Sequence, residues 1–99
     1  MAGTDDIAAE RARQIEAEGW TPDRDDEYIC GQLARAATCY AYRAGWPESG
    51  GPSNEVSHLW PWHKSWWKPT DRRRDLVKAG ALIAAEIDRL DRAKSDTTK

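Results

Sequence analysis

The chain has no phenylalanine, one methionine and two cysteines in 99 residues. Leu, Ile and Val together number twelve, against fifteen alanines. Aliphatics this scarce make a thin core, in a chain near the lower limit of what folds alone. No apolar run approaches the roughly 18 residues of a membrane span. The opening MAGTDDIAAE also lacks a basic-then-apolar leader pattern. A cytoplasmic location with no membrane partner is therefore expected. The formal net charge of −2 and a pI of about 5.6 argue against general nucleic-acid binding. Cys30 and Cys39 fall nine residues apart in a helical-looking segment, about 13 Å along the axis. That is too far to bridge, so reduced thiols are expected.

Tryptophan is what the chain has in excess. Four of its six lie in HLWPWHKSWWKPTDRRRD, residues 58–75, which ends on three consecutive arginines. A buried aromatic covers about 150–250 Å², so tryptophan supplies volume that the aliphatics do not. Self-association is the other remedy for a small core, and a dimer or larger homo-oligomer is predicted. Charge is divided unevenly: residues 1–55 hold five Lys/Arg against eleven Asp/Glu, and residues 56–99 hold ten against six. Two readings stay open. The acidic half packs on the basic half, or the basic half holds an anion.

Periodicity predicts one all-α domain over residues 1–99, with three helices and a long Trp-rich loop. The first runs from about Thr4, as N-cap, to Glu18, stopped by Gly19, with a weak apolar stripe of Ala8, Ala12 and Ile15. Trp20 is expected to fasten its end, and Pro22 to open a turn. The second helix is placed at 26–44, where Ile29, Leu33, Ala36, Ala37, Tyr40 and Ala44 recur at helical spacing. A loop follows over 45–69, long enough to imply function. The third helix, 70–92, is capped by Thr70 and carries Leu76, Gly80, Ile83, Ile87 and Leu90 on a 4-3-4-3 seam. Gly80 and its neighbouring alanines suggest a close helix approach. Residues 94–99 are expected to fray.

Three arginines in a first helical turn oppose the helix dipole, by about 0.3–1 kcal/mol each. A helix start with guanidinium forks is, however, a good phosphate site. Arg72, Arg73, Arg74, Lys78 and Lys68 are the candidates, with surface ion pairing to the acidic half as the competing explanation. Trp60, Trp62 and Trp67 offer flat faces for a base, worth about 1–3 kcal/mol per stack. Extended alternation in WPW sends Trp60 and Trp62 to similar sides. Asp25 and Asp26 are candidates for ribose hydroxyls, although caps and solvated faces explain most of the carboxylates. His58 and His63 do not have a zinc spacing with the cysteines. No catalytic residue, metal or cofactor is predicted.

The segments ERARQIEAEGW, the DD at 25–26, GQLARAATCYA, WPW and WKPTDRRRDLVKAGALIAAEIDRL together resemble a family of small orphan proteins of tailed phages and prophages. The resemblance covers roughly residues 9–92. It implies a phage accessory protein acting in the cytoplasm of its bacterial host. Some small oligomeric phage proteins inhibit host defence by sequestering cyclic or ADP-ribose-type nucleotide signals, and the same role is expected here by analogy of size and origin. One alternative is a protein-binding inhibitor of a host defence complex, using the tryptophan loop as a hot spot. The other is a pyrophosphohydrolase resembling MazG, with Glu10, Asp25, Asp26, Asp75 and Glu86 around Mg²⁺. The paired E-x-x-E and E-x-x-D pattern of that family is not cleanly present.

Overall fold

The computed structural model describes residues 2–45 and 59–97. These residues form four α-helices and no strand: α1 Ala2–Glu18, α2 Pro22–Asp25, α3 Gln32–Ala44 and α4 Arg72–Thr97, with a short 3-10 turn at Lys64–Trp66 before α4. The all-α expectation holds. The part of the predicted loop at 46–58, which includes His58, lies outside the described residues.

The central element is α4, along which α3 packs most extensively and α1 next. The core is Trp20, Leu33, Ala36, Ala37, Tyr40, Ala79, Leu82 and Ala85, with Trp60, Trp62 and Trp67 half-buried against it. Tryptophan does supply the volume that the aliphatics lack. The rings form a chain in which Trp62 meets Trp20 (5.4 Å), Trp60 meets Trp62 (5.4 Å) and Trp67 (5.0 Å), and Trp67 meets Tyr40 (4.6 Å). Trp60 and Trp62 do point to one side, but toward the core.

Several predicted boundaries move. The first helix begins by Ala2, with Thr4 inside it, and ends at Gly19, whose φ of 72° turns the chain so that the Trp20 N–H donates to the Gln14 carbonyl (3.1 Å). The helix predicted over 26–44 is two elements. Thr21 caps α2 with Pro22 in its first turn, and Asp26 closes it. Gly31, at φ 80°, then stands before α3, and the Gln32 side chain accepts the Cys30 N–H (2.8 Å). The left-handed glycine breaks the helical register, so Ile29 misses the core and is 73% exposed. The stripe expected on α1 is also displaced, for its buried residues are Glu10 and Gln14.

At α4 the cap is Asp71, whose Oδ1 accepts the Arg74 N–H (2.8 Å), in place of Thr70. The helix continues through Thr97, beyond the expected start of fraying at 94. The seam divides. Gly80 receives Ile7 of α1, as its small size suggested: a Cβ there would sit 2.6 Å from Ile7 Cδ1. Leu76, Ile83, Ile87 and Leu90 remain about half exposed. Neither cysteine is in a disulfide; Cys30 is exposed, and burial lifts the Cys39 thiol to about 11. No helix among the described residues is long and apolar enough to cross a membrane.

Candidate anion-binding pocket

The three arginines that end the tryptophan-rich stretch go to three different places. Arg72 Nε donates to the Ala44 carbonyl (2.9 Å), placing a cation at the C-terminal end of α3, where the helix dipole favours it. Arg73 pairs with Asp6 on α1 (2.7 Å), both side chains well exposed. Arg74 pairs with Glu10, whose side chain is fully buried. At the start of α4, the expected place for a phosphate, the chain's own carboxylates take two backbone N–H groups. Asp71 takes the Arg74 N–H, and buried Asp75 accepts the Thr70 N–H (2.8 Å) and Arg43 Nη1 (3.0 Å). Ion pairing with the acidic half is therefore what Arg73 and Arg74 do in this structure.

A cavity of about 370 Å³ opens where Arg74 meets α1. Glu10, Arg13, Gln14 and Glu18 form its α1 wall, Trp20 and Tyr40 its aromatic wall, and Trp66, Lys68, Thr70, Arg74 and Lys78 its third side. Its size is at the lower end of the range for ligand pockets, about 300–1,000 Å³. Four cations face two carboxylates across it, so the field inside favours an anion.

Glu10 is the fixed point of the cavity. Its Oε1 accepts from Arg13 Nε (2.8 Å) and from Arg74, while Oε2 accepts from Arg13 Nη2 (2.8 Å) and Gln14 Nε2 (3.2 Å). Burial opposes its ionisation, but the Arg13 fork and the Arg74 charge outweigh burial and hold the carboxyl below its ordinary value. With its amide nitrogen on Glu10, Gln14 is left with a buried Oε1 that has no partner. A buried acceptor in that condition costs about 1–3 kcal/mol, and an N–H or O–H from a ligand would relieve it.

Lys78 completes the cationic side. Its Nζ donates to the Lys68 carbonyl (2.6 Å) and lies 5.5 Å from the Tyr40 ring centre. Burial, aided by the nearby Arg74, lowers its pKa. The Lys68 ammonium sits over the Trp66 ring at 5.4 Å. Trp66 is 40% exposed and lines the cavity at its mouth. The Tyr40 oxygen accepts the Lys68 backbone N–H (3.2 Å), and burial lifts its hydroxyl to about 12.

Of the ten residues predicted to bind ligand, Lys68, Arg74 and Lys78 line this cavity. Trp60, Trp62 and Trp67 are core partners, while the wall is made by Trp20 and Trp66. Arg72 and Arg73 lie elsewhere. Asp25 is fully buried against Arg11, and Asp26 holds Arg92 (2.7 Å). The sequence reading missed Arg13, Gln14 and Glu18. Their signal was present as polar residues at 10, 14 and 18, a helical repeat of four on a helix whose apolar stripe was weak.

The five carboxylates considered for Mg²⁺ do not converge. Each is held by an arginine: Glu10 by Arg13 and Arg74, Asp25 by Arg11, Asp26 by Arg92, Asp75 by Arg43 and Glu86 by Arg89. Among the described residues no three His, Cys, Asp or Glu side chains are grouped to hold a metal ion. His63 and Ser65 touch (2.9 Å), but the His63 Nδ1 also accepts the Ser65 N–H as the cap of the 3-10 turn. The chain matches no family model, no curated protein and no solved structure.

Proposed function

We propose that the protein is a homo-oligomeric nucleotide-binding protein that holds a phosphate-bearing ligand in this cavity and sequesters it without converting it. The observation that carries the reading is one cavity in which four cations outnumber two carboxylates beside an unpartnered Gln14 Oε1 and a partly exposed Trp66. Lys68, Lys78 and Arg74 would hold the phosphate. Gln14 would accept a hydroxyl or amino group, and Trp66 would stack a base. Sequestration is preferred to turnover because the carboxylates are engaged by arginines. In the setting implied by the resemblance to phage and prophage proteins, the ligand is a host immune signal of the ADP-ribose or cyclic type. Binding it in the host cytoplasm would blunt antiphage defence.

The rival reading, a protein-binding inhibitor, relies on the tryptophan segment as a hot spot. Its exposed apolar groups among the described residues are Trp66 and Leu59, each 40% exposed, while the other rings face the core. The deciding experiment incubates the protein with a panel of cyclic and ADP-ribose-type nucleotides, removes free ligand, denatures the protein and identifies what is released. Intact nucleotide is the expected result. Cleaved product that requires Mg²⁺ would replace sequestration by hydrolysis, and no retained nucleotide would overturn the proposal.

A further inference from the structure

The polar groups that line the cavity are segregated. Lys68, Arg74 and Lys78 stand on one side, and Gln14 and Glu18 of α1 stand on the other. The orientation of Gln14 is fixed by its neighbour. Its Nε2 donates to Glu10 Oε2 (3.2 Å), and Glu10 is gripped by Arg13 and Arg74. A carboxylate only accepts, so turning the amide over would set one acceptor against another. Gln14 therefore keeps its nitrogen on Glu10, and its buried Oε1 is left as an acceptor without a partner. Glu18 lies 3.4 Å from Arg13 Nη2, longer than a charge-assisted hydrogen bond of about 2.7–2.9 Å. With about four lone-pair sites on its carboxylate, it too can accept. Residues 14 and 18 are one helical turn apart, and side chains at that spacing are neighbours on one face.

Two neighbouring acceptors call for two neighbouring donors on a ligand. A nucleotide has such a pair in two places, the 2′ and 3′ hydroxyls of ribose and the N1–H and amino edge of guanine. Distance from the phosphate decides between them. Glu10 joins the two sides of the cavity, holding Gln14 through one oxygen and Arg74 through the other. A phosphate on Arg74 would thus stand about one carboxylate away from Gln14. In a 5′-nucleotide the sugar adjoins the phosphate, whereas the guanine edge is at the far end. Acidic side chains take ribose hydroxyls in dinucleotide sites as well. Asp25 and Asp26, expected in that role, are held by Arg11 and Arg92.

We infer, on the reading that this cavity is the nucleotide site, that Gln14 and Glu18 take the vicinal hydroxyls of a 5′-phosphorylated ribose. The cavity then prefers ribonucleotides with a free 2′,3′-diol, the ADP-ribose type, over 3′,5′-cyclic nucleotides. In the cyclic form the 3′ oxygen belongs to the phosphodiester and donates nothing, which leaves one acceptor unmatched.

Isothermal titration of the full chain with adenosine 5′-monophosphate, its 2′-deoxy form and its 3′,5′-cyclic form tests the preference. The deoxy form keeps the charge and lacks one donor. The 5′-monophosphate should bind most tightly, and the other two about tenfold more weakly or worse, as for a buried acceptor left unpaired. Either Glu18→Ala or Gln14→Met, whichever removes the partner of the 2′ hydroxyl, should bring the first two affinities together. A deoxy discrimination that survives in both variants would overturn the assignment. Equal binding of all three probes to the wild type would overturn the diol reading and leave the nucleotide site standing, whereas binding of none would overturn both. Guanosine and deoxyguanosine 5′-monophosphates that bind alike, and above the adenosine form, would give the α1 acceptors to the base edge and overturn it too.

Discussion

The guanidinium of Arg74 donates to the buried carboxylate of Glu10 across 64 residues of chain. This pair ties the first turn of α4 to the middle of α1 and sets one edge of the cavity. Arg73, next in sequence, reaches only the exposed Asp6. Two adjacent arginines thus differ in what their removal should do. Arg74→Gln leaves Glu10 to Arg13 and Gln14 and should lower apo stability by about 1.5–3 kcal/mol, as for hydrogen bonds to a charged group. Arg73→Gln breaks a solvated pair and should change stability by less than about 1 kcal/mol. Chemical denaturation of both variants measures the contrast. Equal losses would mean that burial of Glu10 does not govern the coupling.

Glu10 also predicts a pH dependence. Its carboxyl is depressed in the folded state, so its contribution is complete above the ordinary value of 4.5 and is lost as pH falls below it. Asp25 acts oppositely: burial lifts its carboxyl in spite of Arg11, so protonation there is favoured by folding. Glu10→Gln separates the two. The wild type should lose melting temperature as pH falls below 4.5, while the variant starts lower and falls less steeply. Parallel curves for the two proteins would remove Glu10 as the source.

What the sequence made legible follows local chemistry. The stop at Gly19, the seam on α4 and the small-residue contact at Gly80 are signals carried by neighbours in the chain. The break before α3 was harder to see, because Ile29 and Leu33 fit one helical repeat and only the left-handed Gly31 separates them. The predicted site residues are spread apart for a non-local reason. An arginine run at a helix start looks like an anion site until each guanidinium is assigned a partner, and Ala44, Asp6 and Glu10 lie 28 or more residues away. Tryptophan stacking surfaces were likewise indistinguishable from core filler. Only the ring contacts show that Trp60, Trp62 and Trp67 pack inward, leaving Trp66 at the mouth.

Gly80 should resist substitution although it lies within a helix. Replacing it by Ala gains about 1 kcal/mol of helix propensity, yet the new Cβ would meet Ile7 Cδ1 at 2.6 Å and Cγ1 at 2.9 Å. Overpacking of this kind costs about 1–3 kcal/mol, so Gly80→Ala should destabilise by up to about 2 kcal/mol. Ile7→Ala in the same chain removes the clash. The double variant should therefore be more stable than the sum of the single effects, measured as a double-mutant cycle. Strict additivity would mean that α1 does not rest on Gly80.

The ligand reading turns on Lys78. In the apo protein burial disfavours its charge, and the carbonyl of Lys68 takes its proton donor. Lys78→Met keeps the side-chain length and removes that desolvated ammonium, so apo stability should change by no more than about 1 kcal/mol. An anion in the cavity would return favourable charge to Lys78 and stabilise the folded state through RT ln(1 + [L]/Kd). At a hundredfold excess over Kd this amounts to about 2.7 kcal/mol, several degrees of melting temperature for a chain of this length. A nucleotide found by the release experiment should therefore raise the melting temperature of the wild type and leave Lys78→Met nearly unmoved. An Arg73→Gln control should respond like the wild type, since Arg73 lies outside the cavity. Should Lys78→Met gain the same shift and Arg73→Gln lose it, the phosphate would sit against Arg73 at the start of α4, and the cavity would not be the site.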